Sequence, residues 1–218
     1  MNPITYLTDQ VMIPFLNFSY HSIYPNFGLG IIILTIIVKI LLYPLTKQQF
    51  ESMKNMQSMM PTFKKLKEKY KDNPQQLQME TMKIYKENKI NPLGGCLPML
   101  IQLPFLFALF YTMNGDSFAT LINSGDVFPG LTSFWLADLS EPDNFFILPI
   151  VIGLATYFGQ KMSATDPNQQ KILMFMPVLM VVISFKMPAG VLLYWAISQI
   201  ISSVQQVVIM KPGKEVTK

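Results

Sequence analysis

Lys39 is the residue whose chemistry conflicts most sharply with its surroundings, because it interrupts an apolar run spanning positions 28–46. A charge near the centre of a bilayer costs about 2.5–3.5 kcal/mol on insertion scales, so such a residue is expected to have a task. Thr35 lies one helical turn before it and Tyr43 one turn after it, which gives a polar stripe on one helix face. Gln102 sits inside a second apolar run, and Trp195, Ser198, Ser202 and Gln205 share a face of the last one. Together with Lys39 these side chains could line one wet cavity. Serines and threonines in such helices also bond to their own backbone or join helices, and both uses are open at this stage. The apolar runs hold no Asp or Glu, so the Lys39 ammonium is expected to face water or to await an anionic partner from outside.

Reaction chemistry finds no support elsewhere. The chain has no GxxxxGK[ST] phosphate loop, no HExxH, no GxSxG and no carboxylate pair within its apolar runs. A lone Cys96 and a lone His21 leave no thiol cluster, no intramolecular disulfide and no histidine pair. No catalytic residue, metal or cofactor is expected, and the chain is not read as an enzyme.

The elements that must position Lys39 follow from composition. Half of the 218 residues are hydrophobic and 14% are charged, a balance suited to the membrane as solvent. A bilayer core of about 30 Å needs roughly 20 apolar helical residues. Five stretches qualify as candidate spans: 28–46, 92–114, 144–162, 171–187 and 188–210. Some are short, which implies local thinning of the bilayer or snorkelling of flanking lysines such as Lys186. Segment 1–27 has Asp9 but no lysine, so it is not read as a secretory leader. Its Ile4, Leu7, Val11 and Phe15 fall at the spacing of a short amphipathic helix.

All seventeen basic residues are lysines, and ten of them lie in segment 47–91, which is expected to be cytoplasmic. The loop at 115–143 carries five acidic residues and no lysine, as a translocated segment can. The short connection at 163–170 is flanked by Lys161 and Lys171, and the tail at 211–218 is again basic. Every cluster agrees with an N-terminus outside and a C-terminus in the cytoplasm. The five stretches do not divide into two matching halves.

Within segment 47–91 apolar residues recur every three or four positions, from Phe50 through Met53, Met56, Met60 and Phe63 to Leu66 and Tyr70. Asp72-Asn73-Pro74 supplies a turn, after which Leu77, Met82 and Tyr85 mark a returning helix. A helical hairpin results. Its methionines could adapt to varied apolar guests or join the two helices to each other.

Several stretches then resemble one family: Ile36-Ile37-Val38-Lys39 with Tyr43-Pro44-Leu45-Thr46-Lys47, Asn91-Pro92-Leu93-Gly94-Gly95-Cys96-Leu97-Pro98, Ile101-Gln102-Leu103-Pro104, Phe175-Met176-Pro177, and Pro188-Ala189-Gly190 leading to Leu193-Tyr194-Trp195. In this order, across positions 27–210, they are similar to the YidC/Alb3-type insertases. The resemblance implies an all-α integral membrane protein whose five transmembrane helices enclose a hydrophilic groove, with a cytoplasmic helical hairpin. The groove would open to cytoplasm and lipid, and Lys39 would stand where most bacterial relatives carry arginine. It implies a client-binding groove at Lys39, Thr35, Tyr43, Gln102, Tyr194, Trp195, Ser198 and Ser202, with client recruitment by Met53, Met56, Met60, Phe63 and Met82. Tyr194-Trp195 stands where some relatives have a tyrosine pair. Nascent membrane proteins, the lipid bilayer, a Sec-type translocon, the ribosome and the signal recognition particle pathway are the implied partners. DNA is not among them, and a bacterial plasma (inner) membrane is the implied location. The tail after Met210 is short, so stable ribosome tethering through it is not expected. Two other functions fit a polar stripe with a central charge: an ion channel or transporter, and a membrane scaffold that holds finished subunits.

Overall fold

The computed structural model describes residues 3–88, 97–115, 135–136, 138–163 and 167–210. The Asn91–Cys96 part of the glycine-proline motif, the acidic residues Asp116 and Asp126, Asp166 and the basic tail therefore lie outside the described residues. The described chain is helical, apart from an isolated bridge between Pro142 and Pro188.

At the N-terminus α1 (Pro3–Leu7) runs through one π-turn, Thr8–Met12, into α2 (Ile13–Ser22). A π-turn adds a residue to the helical repeat, and here it moves the inward face. Met12, Leu16 and Ser19 are buried, whereas Val11, expected on the apolar face, is exposed. The buried Thr8 hydroxyl donates to the Ala108 carbonyl at 3.1 Å.

Helix α3 (Phe27–Leu41) starts where the Asn26 side chain accepts from the Leu29 amide at 2.9 Å. It stops at Leu42, because the Pro44 ring conflicts with the carbonyl four residues back and lacks an N–H. Helix α4 (Tyr43–Ser58) then leaves at a bend of 62°. Pro61 breaks the chain again at Met59, starting α5 (Met60–Lys69), and Asn73-Pro74 caps and starts α6 (Pro74–Glu87). Helices α5 and α6 pack against each other, with the Phe63 and Tyr85 rings 5.1 Å apart.

Four further helices carry the other apolar stretches or their parts: α7 (Leu97–Met113), α8 (Ile147–Ser163), α9 (Pro167–Ser184) and α10 (Ala189–Met210). Helix α10 is the hub, packing on α3, α4, α7 and α8. Two of its first orphan amides, those of Ala189 and Gly190, donate to the carbonyls of Glu141 and Leu139 at 2.7 and 2.8 Å. Gly190 permits this approach: a Cβ there would stand 2.7 Å from Met113 Sδ and 3.3 Å from both Ile31 Cδ1 and the Leu139 carbonyl.

Among the described residues only Ala189–Met210 is by itself long and apolar enough to cross a bilayer. The bent pair Phe27–Leu41 and Tyr43–Ser58 passes the same test together, and Leu100–Met113, Ile147–Met162 and Phe175–Ser184 are shorter apolar helices.

Candidate functional site

Helices α3, α7 and α10 converge on Lys39. Its side chain is packed away, with the residue 9% exposed. The ammonium donates to Ser202 Oγ at 2.8 Å and reaches Gln102 Oε1 at 3.4 Å. Neither partner is charged, and no carboxylate among the described residues pairs with Lys39. Hydrogen bonds donated to two neutral oxygens orient the cation but leave its charge uncompensated.

Near this cation Gln205 Oε1 is buried without a protein partner. The Tyr194 hydroxyl and Gln102 Nε2 are also buried and face each other loosely, each the neighbour the other can bond. A buried polar group left unpaired costs about 1–3 kcal/mol, so this underused set suits a hydrated site or one that receives polar groups from a guest. Beside them a depression of about 310 Å³ is lined by Ile36, Lys39, Ile40, Tyr43, Ile201 and Gln205. Its exposed surface is predominantly apolar.

The predicted groove residues are not used alike. Lys39, Gln102 and Ser202 form one cluster, with Tyr194 at its edge. Tyr43 is exposed on the wall of the depression, beyond the break at Leu42. Ser198 is buried one turn before Ser202 on α10, and Trp195 is half-buried against the apolar core. Thr35 is fully buried and its hydroxyl donates to the Ile31 carbonyl at 2.6 Å, the back-bonded alternative noted for such residues.

The hairpin methionines also separate. Met53 is buried with Phe50 at the hairpin's base, where α4 meets α7 and α10. Met56, Met60 and Phe63 are half-buried. Met82 is exposed, and its neighbour Met79 more so, at 67%. The freely presented sulfurs thus lie on α6.

A set of glutamines went unnoticed in the sequence. Gln199 Nε2 donates to Thr156 Oγ1 at 3.4 Å and Gln206 Nε2 to the Gly159 carbonyl at 3.0 Å, joining α10 to α8. Gln57 of α4 donates to the carbonyl of Met162 in the last turn of α8. The seven-residue spacing of Gln199 and Gln206 was the available signal, since it puts both on one helix face.

Comparison with known proteins places this arrangement. Residues 18–216 match the family described as 60Kd inner membrane protein. A relative from Fusobacterium nucleatum subsp. nucleatum, named membrane protein insertase YidC, is 45% identical over 190 residues, covering 86% of this chain and 88% of the relative. A protein of the same name from Pseudoalteromonas atlantica is 44% identical over 204 residues, 92% of this chain but 36% of that protein. A crystal structure described as an active YidC insertase with the first transmembrane domain resolved superposes with a TM-score of 0.72 at 28% identity, covering 88% of this chain and 44% of that one.

Proposed function

The chain belongs to the 60Kd inner membrane protein family, and we propose that it is an insertase that admits client segments into a hydrophilic groove around Lys39 and releases their apolar helices into lipid. Helices α3, α7, α8, α9 and α10 are the five spans, and α4 to α6 form the cytoplasmic recruitment hairpin. The N-terminal segment and the 115–143 loop lie outside, and the C-terminus is cytoplasmic. The work consists of lowering desolvation. A polar tail crossing about 30 Å of hydrocarbon leaves its backbone and charged groups unsatisfied, whereas a groove lined by Lys39, Ser202 and Gln102 supplies hydrogen bonds for part of that path. Lys39 attracts acidic residues of the incoming segment, and no covalent step is required.

The single observation that supports this most is the buried ammonium held by neutral Ser202 and Gln102 without a carboxylate. A channel or transporter would show ion or solute flux from the purified protein without any client. An insertase would show photo-crosslinks from Lys39, Gln102 and Trp195 to a stalled nascent client, and weak ones to the mature client. Equal crosslinking of both would favour a scaffold that holds finished subunits. The Sec translocon, the ribosome and the signal recognition particle pathway are the partners we assign to delivery.

A further inference from the structure

Where α8 begins, the backbone adopts a conformation that its residue resists. Phe146 has φ 57°, the only positive value for a non-glycine among the described residues. Bulky side chains seldom enter this left-handed region, where glycine or asparagine is at ease. The conformation is held by Asp143, a buried carboxylate that accepts from the Phe145 amide at 3.1 Å, the Leu148 amide at 2.7 Å and the Trp135 indole at 2.8 Å.

The strain displays aromatic surface. Phe146 is 47% exposed and meets Phe185, at the far end of α9, ring to ring at 5.1 Å. Phe145 and Phe185 are similarly exposed, and Lys186 stands exposed beside them. The patch continues directly into exposed apolar side chains along the same two helices, Ile150 and Leu154 on α8 and Val182 on α9. An aromatic cluster with an adjacent cation, at the end of an apolar wall, matches the boundary between headgroups and acyl chains, where aromatic rings collect and lysine reaches phosphate.

We propose that Phe145, Phe146 and Phe185 form a lipid anchor seated at the outer-leaflet headgroup boundary, which fixes the depth of the α8–α9 pair in the bilayer. This rests on the membrane-spanning reading given above.

The test uses the full chain with Cys96→Ser, reconstituted in phosphatidylethanolamine/phosphatidylglycerol vesicles. A nitroxide is attached at Phe145→Cys, Leu154→Cys or Lys161→Cys, and depth is read from oxygen against nickel-chelate accessibility. The 145 label is expected at the headgroup boundary, the 154 label about 13 Å deeper, and the 161 label again near the headgroups. Phe146→Ser with Phe185→Ser is expected to shift the 145 and 154 labels together by several ångströms, and Phe146→Trp, which keeps an interfacial ring, to hold both in place. An aqueous signal at 145 in the parent chain, or serine variants that leave both depths unchanged, would overturn the anchor. An aqueous signal at 154 would instead refute the membrane-spanning reading on which the anchor depends.

Discussion

Lys39 and Ser202 stand 163 positions apart in the sequence, yet the lysine ammonium lies 2.8 Å from the serine hydroxyl. Their meeting requires α10 to pack along α3, and the packing is fixed at the opposite end by Gly190 against Ile31 and Met113. The polar centre thus depends on a tight apolar contact far from it.

Helices α8 and α9 approach closely at Gly153. A Cβ there would stand 2.5 Å from Val181 Cγ2, a branched and stiff neighbour. Gly153→Ala is therefore expected to destabilise the protein by about 1–3 kcal/mol through overpacking. Thermal unfolding in detergent would register it, and adding Val181→Ala should restore most of the loss. A Gly153→Ala protein that melts with the parent would show that the helices separate easily.

Asp143 joins the start of α8 to Trp135. Asp143→Ala removes a helix cap and leaves the indole and two amides without their acceptor, which is expected to cost about 2–4 kcal/mol. In a Trp195→Phe background the Trp135 emission should shift to the red as the ring loses its seat. Asp143→Asn retains one carbonyl oxygen for the indole and the Phe145 amide but none for Leu148, and should fall between the two.

The hairpin's base is tied to α8 by Gln57 on the Met162 carbonyl. Gln57→Leu should free the hairpin without unfolding it, seen as faster amide exchange and earlier proteolysis within Met60–Glu87 while exchange in α10 stays unchanged. Unaltered exchange in both would mean that buried Phe50 and Met53 alone hold the hairpin.

What the sequence made legible was what local rules govern. The charge of Lys39, the four-residue step from Ser198 to Ser202 and the Asn73-Pro74 turn could all be read from spacing and residue type. The bend at Leu42 had its signal in Pro44, although the run 28–46 reads as one apolar stretch, and Tyr43, past the break, lines the same depression as Lys39. The π-turn at Thr8–Met12 left no such signal, because it answers a tertiary demand, the bond from Thr8 to Ala108. The Gln57 contact was invisible for the same reason: it exists only once α4 has turned 62° away from α3.

The uncompensated charge at Lys39 is proposed to draw acidic client segments into the groove, so insertion by reconstituted vesicles should depend on that charge. A single-span client with an acidic translocated tail is offered to vesicles carrying the parent chain, Lys39→Arg or Lys39→Glu, and the protease-protected fraction is measured. Lys39→Arg keeps the charge and should insert the client within about twofold of the parent, because transient attraction does not need a particular donor geometry. Lys39→Glu should fall at least tenfold, equivalent to about 1.4 kcal/mol, and should recover when the client's tail is made basic. Equal yields from all three proteins would mean that the Lys39 charge plays no part in insertion.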